Sequence, residues 1–344
     1  MRSQARLVVS LDIEMYWGLR HRCHLDECRD QLLASRRLIP DLLELFSAYG
    51  VRATWPAVGF LFCRTKHDLL DSLPSRLPAY RSVELSPYAH VARVGDDEDD
   101  DPCHFAPSLI DRIAAMPGQE VASRTFSNFF CGEEGQDTRD FEADLRAAVT
   151  VARRRGIILR SMAFPRRQIG QEYLDVCRRL GMTSYRGNPP GWVYGVEPDD
   201  EASKLSRRLR KAVRHLDSVL PITGTNCVAD QNPSQRAPVN VAATRRYRPY
   251  AGENPWLAAM QRRRIFRELD YAVDKGAIFH LWCPMRDLGR WPGEQFDEMR
   301  RILDRFDGWR RLGRMDSVTM HEVVMGHGAE EAPRPPRDRS ASPG

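Results

Sequence analysis

Leu7-Val8-Val9-Ser10-Leu11-Asp12-Ile13-Glu14 is a short, mostly apolar run that ends on two carboxylates. A strand buried on both faces reads this way when its C-terminal end reaches a functional site. Outward from it, Leu33, Leu38, Leu42, Leu43, Leu45 and Phe46 recur at helical spacing between Leu32 and Tyr49, and Gly50 supplies the stop. VRATWPAVGFL, from Val51, then reads as a second strand, with Pro56 interrupting it near its end. The alternation returns with EVASRTFSNFF, a helix over Arg139–Arg155, ILRSMAFPRRQ, a helix ending at Gly181, and SYRGN. It closes with a helix over Pro255–Lys275, a strand over Ala277–Trp282 and a helix from Gly293 to Trp309. Strands alternating with helices specify an α/β fold.

Two segments break the alternation. Residues 63–105 hold prolines, histidines and the acidic run Asp96–Asp101, and read as an insertion with a solvated loop; consecutive carboxylates without a calcium-loop spacing repel one another. Asp199–Gly252 holds a basic helix, Lys204–Leu220, whose Arg207, Arg208, Arg210 and Arg214 form a solvated face, and a turn-rich connection. Residues 1–325 therefore read as one domain, and 326–344, rich in Pro, Arg, Ser and Glu, as a disordered tail.

Of the 344 residues 42% are hydrophobic and 29% charged, which suits a packed core and excludes wholesale disorder. The net charge of +5 is too small to argue for nucleic acid. The basic residues are nonetheless lopsided: 48 of 52 are arginine. Coding bias or a demand for guanidinium groups would each produce that. No run approaches the roughly 18 apolar residues of a membrane span, and LVVSL runs into Asp12 without a cleavage site, so a cytoplasmic protein with eight reduced cysteines is the expectation.

Asp12 and Glu14 flank one residue, and the period of a strand sends both side chains to one side, as an acid–base or metal pair requires. His21, Cys23, His24 and Cys28 carry zinc-type donors, but their spacing matches no zinc motif, and they read as a polar loop. Neither a G-x-S-x-G elbow, a P-loop nor a G-x-G-x-x-G fingerprint is present.

SLDIEMYWG, RATWPAVGFLF, VASRTFSNFFC, SMAFPRRQ, TSYRGN and IFHLW follow one another across nearly the whole chain. In that order they resemble the polysaccharide deacetylases, the NodB-homology proteins of carbohydrate esterase family four. The resemblance implies a distorted (β/α) barrel and metal-dependent hydrolysis of an acetyl group on a carbohydrate. It places the base at Asp12, a metal ligand at Glu14, a base-orienting arginine at Arg166 and the general acid at His280. It also implies two metal-binding histidines four residues apart, where this chain has Arg124 and Asn128. A guanidinium has no lone pair to give, and an amide oxygen is a weak ligand. The Arg124 guanidinium is expected in the vacated cation position, neutralising both carboxylates.

Two readings follow: a carbohydrate deacetylase using zinc or another divalent metal, or a metal-free pseudoenzyme that binds a carbohydrate or a partner protein. Trp17, Trp55, Trp192 and Trp282 are candidates for stacking on a sugar. Substrate and oligomeric state are not legible.

Overall fold

The computed structural model describes residues 4–189, 212–229 and 237–326. Trp192, the tail beyond residue 326 and residues 204–211 of the expected basic helix lie outside them; residues 212–217 are helical. None of the described helices is long and apolar enough to cross a membrane.

The Leu7–Glu14 run forms β1 (Ala5–Asp12), and all eight residues are buried. It is central: β2 (Ala53–Ala57) and β10 (Met315–Ser317) divide one edge, and β9 (Ala277–Pro284) runs along the other. Beyond β2 follow β3 (Gln119–Ser123), β4 (Ser161–Met162), β5 (Ser184–Tyr185) and β7 (Val239–Asn240), all parallel. A two-residue strand, β6 (Val228–Ala229), adds antiparallel to β9.

The turn-rich connection closes the sheet. Its residues 239–243 bond β5 and the chain after it, Ala243 N–H reaching Gly187 O at 3.1 Å. A few residues later β8 (Arg245–Arg246) pairs with β9, Thr244 N–H bonding His280 O at 2.9 Å. One continuous segment thus joins the two sides of a curled sheet. Strands of eight residues on one side and two on the other make it a distorted (β/α) barrel, in which the C-terminal ends of the ring strands open together.

Helices α1 (Leu25–Tyr49), α2 (Pro107–Ala115), α3 (Thr138–Arg154), α4 (Gln171–Arg179), α5 (Pro255–Lys275) and α6 (Pro292–Arg311) carry apolar residues that are buried in the packed core. Helix α1 starts seven residues earlier than its apolar periodicity suggests, because Leu25–Gln31 forms two mostly polar opening turns. It ends at Gly50, whose φ of 65° is a left-handed C-cap. Helix α3 opens on a reciprocal capping box between Asp137 and Asp140.

The acidic run in the 63–105 segment is not a loop of mutually repelling charges. Asp97 Oδ1 accepts from the backbone N–H groups of Asp99 and Asp100, Glu98 pairs with Arg36, and Asp101 accepts from Gly95 N–H and His104 Nδ1. Each bond offsets repulsion locally. The segment then packs on the chain after β1, where the Trp17 indole N–H donates to His104 O at 2.9 Å.

Candidate functional site

The strand ends surround a cavity of about 280 Å³, and among the described residues that line it ten are arginines against two carboxylates, Asp12 and Glu14. Barrel sites form at this face because the βα loops converge there.

Asp12 ends β1 and is fully buried. Arg186, on the residue after β5, grips both its oxygens at 2.7 Å, and Arg124, after β3, reaches Oδ2 at 2.9 Å. Burial alone would raise this carboxyl, but the positive charges of Arg186 and Arg124 outweigh it and hold it below the ordinary carboxylate range. Arg124 also pairs with Glu14, and Arg286, two residues beyond β9, pairs with the other Glu14 oxygen. Three guanidinium groups thus enclose two carboxylates. Gly18 fits this packing because a Cβ there would lie 2.4 Å from Glu14 Oε2.

The loops presenting these groups are strained. Met15, Thr125, Asn128, Arg166 and Arg167 all have positive φ, which non-glycine residues seldom adopt, and all follow strands at this face. The loop after β3 is fastened from below: buried Asp144 accepts from Phe126 N–H at 2.7 Å and from the Tyr88 hydroxyl at 2.9 Å, and Thr125 Oγ1 accepts from Phe129 N–H.

His280 lies beneath the cavity rather than on its wall, fully buried. Its Nδ1–H donates to Val241 O at 3.1 Å, which leaves Nε2 to accept from Ser10 Oγ at 2.8 Å; Ser10 in turn accepts from Arg186. Burial, then the Arg186 charge, lowers its pKa to about 3, so the ring is neutral at neutral pH. The unfolded chain binds this proton near pH 6.5, so the stabilisation from neutral His280 is present above 6.5 and lost as pH falls towards 3. Denaturant titrations at pH 7 and pH 4.5 are expected to show lower stability at pH 4.5, and His280→Gln to reduce that difference; an unchanged difference would assign it elsewhere.

Several expected roles find other positions. Arg166 does not touch Asp12: it pairs with Glu133 at 2.5 Å and stacks 4.0 Å from the Phe130 ring centroid, because the tight turn at φ 50° turns it away. Arg186 holds the place beside Asp12. Trp17 and Trp55 have no exposed surface and sit in the core, against Phe60 and Phe46 respectively, which removes them as sugar-stacking surfaces. Trp282 does line the cavity, with the Arg186 and Arg246 guanidinium groups 4.4 and 5.5 Å from its ring centroid. The one signal that sequence offered for Arg186 and Arg286 is their place just beyond strand ends.

The donors here do not suit a divalent metal. Both oxygens of Asp12 and of Glu14 are taken by guanidinium groups, Arg124 offers no lone pair, and Asn128 offers one amide oxygen. Among the described residues no three His, Cys, Asp or Glu side chains gather as a metal site. Cys23 and Cys28 approach to 3.4 Å between sulfurs but recruit no histidine.

No family model and no curated protein matches the chain. Solved structures do share its fold. A protein assigned as a polysaccharide deacetylase, from Mycobacterium smegmatis, aligns with a TM-score of 0.53 at 12% identity over 94% of this chain and 90% of that one. A 4-alpha-glucanotransferase from Thermococcus litoralis aligns with a TM-score of 0.52 at 11% identity, over 95% of this chain and 41% of that one. The likeness is one of fold: an α/β protein with a curled sheet of the deacetylase type.

Proposed function

We propose that this protein is a metal-free carbohydrate-binding pseudoenzyme on a deacetylase-type fold, rather than a hydrolase. The observation that carries this reading is the enclosure of Asp12 and Glu14 by Arg124, Arg186 and Arg286. Acyl hydrolysis needs a base free to take a proton from water, an acid within reach of the leaving group and a polarising cation. Asp12, depressed and bonded on both oxygens, is a poor base. His280, neutral and shut beneath the cavity, is poorly placed as the acid. A guanidinium stabilises negative charge but does not generate hydroxide from bound water.

Carbohydrate as the ligand class is supported by the names of both fold relatives, which are carbohydrate-active, and by Trp282 on the cavity wall. Incubation of the purified protein with acetylated chitin fragments and sugar acetates, with zinc or cobalt added, is expected to release no acetate. Acetate release that disappears in Asp12→Asn would overturn the pseudoenzyme reading and restore the hydrolase.

A further inference from the structure

Among the described residues the cavity carries more positive charge than its carboxylates neutralise. Asp12 and Glu14 face three guanidinium groups, and the next acid, Asp287, pairs with Arg246 while standing 3.9 Å from Arg286 Nε. One positive charge is left over there. Arg22, exposed on the rim, bonds the His21 ring at 3.1 Å and no carboxylate among the described residues. Burial and the nearby Arg166 charge lower the His21 pKa to about 3, so that ring is neutral and leaves the Arg22 charge uncompensated.

One surplus charge among buried guanidinium groups and a second, solvent-exposed on the rim, suit a dianion better than a single carboxylate. A phosphate monoester carries about −1.5 to −2 at pH 7, and its oxygens match the guanidinium fork. One feature asks for a donor as well. Asn128 lines the cavity, is 3% exposed, and its Oδ1 is buried without a hydrogen-bond partner. Its amide nitrogen is already turned to Trp17 O at 3.4 Å. A hydroxyl would satisfy that acceptor, whereas ionised phosphate oxygens would not. The cavity's 280 Å³ is at the small end for ligand pockets, which favours one sugar unit over a polymer.

We propose that the cavity binds a monosaccharide bearing a phosphate monoester, its phosphate held by the arginine rim and a ring hydroxyl donating to Asn128 Oδ1. The sugar half rests on the carbohydrate reading above; the phosphate half rests on the charge imbalance alone. Calorimetric titration of the full chain at 0.15 M salt with glucose 6-phosphate, N-acetylglucosamine 1-phosphate, inorganic phosphate, glucuronate and glucose tests both. The sugar phosphates are expected to bind about tenfold or more tighter than the other three, and to weaken as pH falls from 7 to 5, where the monoester gains a proton near pH 6. Arg22→Ser, on an exposed side chain, is expected to lower sugar phosphate affinity about tenfold, and Asn128→Gly, which tolerates the φ of 61°, to narrow the preference over inorganic phosphate. Glucose binding as tightly as its phosphate would overturn the phosphate assignment and leave the carbohydrate reading standing. Inorganic phosphate binding as tightly as the sugar phosphates would overturn the sugar half and the carbohydrate reading with it. Binding of none of the five would overturn the whole assignment.

Discussion

Asp12→Ala is expected to destabilise the fold by roughly 3–5 kcal/mol, the cost of leaving buried charges unpaired, whereas Arg124→Met is expected to cost far less. The asymmetry follows from the charge arrangement. Without Asp12, Arg124, Arg186 and Arg286 share one carboxylate, Glu14, and two guanidinium groups that are at least nine-tenths buried lose their bidentate or bridging partner. Without Arg124, Asp12 keeps both bonds to Arg186 and Glu14 keeps Arg286. Loss of one partner is costly where it leaves a buried charge uncompensated, and here two carboxylates remain with two guanidinium groups. Burial already lowers the Arg124 pKa, which marks the desolvation that methionine would relieve. Urea unfolding of the two variants at pH 7 measures the difference; equal losses would mean that Arg124 is an obligatory partner rather than the third of three cations.

A second large effect is expected at Arg245→Met. Arg245, the first residue of β8, bonds Glu268 through Nε at 2.9 Å and Asp217 through Nη1 at 2.9 Å, and both acids are fully buried. Arg264 adds longer contacts, 3.3 Å from Glu268 and 3.9 Å from Asp217. Removing Arg245 takes a direct guanidinium partner from two buried carboxylates, at a cost of roughly 3–5 kcal/mol, and it does so on the strand that closes the sheet onto β9. Loss of β8 pairing is expected to raise backbone hydrogen exchange at Thr244 and Tyr247, whose N–H groups bond β9. Native-like exchange at these two amides in the variant would place the ion cluster outside the closure of the barrel.

Which parts of this fold were legible follows from how each segment earns its structure. The long strands β1 and β9 announce themselves because both faces are buried and their sequences are continuous apolar runs. The two-residue strands β7 and β8 carry no periodicity, and tertiary pairing alone makes them strands, so the closure of the barrel could not be read. The acidic 96–101 run looked like simple repulsion because its compensation comes from Arg36 and His104 in the folded chain.

At the site, strand position and residue chemistry point to Asp12 and Glu14, the family resemblance points to Arg124, and their ion pairs join the three in one cluster. Arg166 was carried over from a motif, and motif position does not specify which way a strained turn aims its side chain. Arg186 and Arg286 take the places around the carboxylates because two other strands end beside them. Trp17 and Trp55 are a reminder that an aromatic near a site motif is most cheaply buried.

The arginine excess acquires a partial explanation. Most of the 48 guanidinium groups lie outside the cavity, but among the described residues ten line it and three surround Asp12 and Glu14 with positive charge. That enclosure is open to direct measurement. Purified native protein, incubated with excess zinc and then dialysed, should hold far less than one zinc per chain by elemental analysis, with no change on Asp12→Asn. One zinc per chain, retained on dialysis and lost in Asp12→Asn, would show that a metal displaces the arginines from these carboxylates and would contradict the guanidinium-filled site.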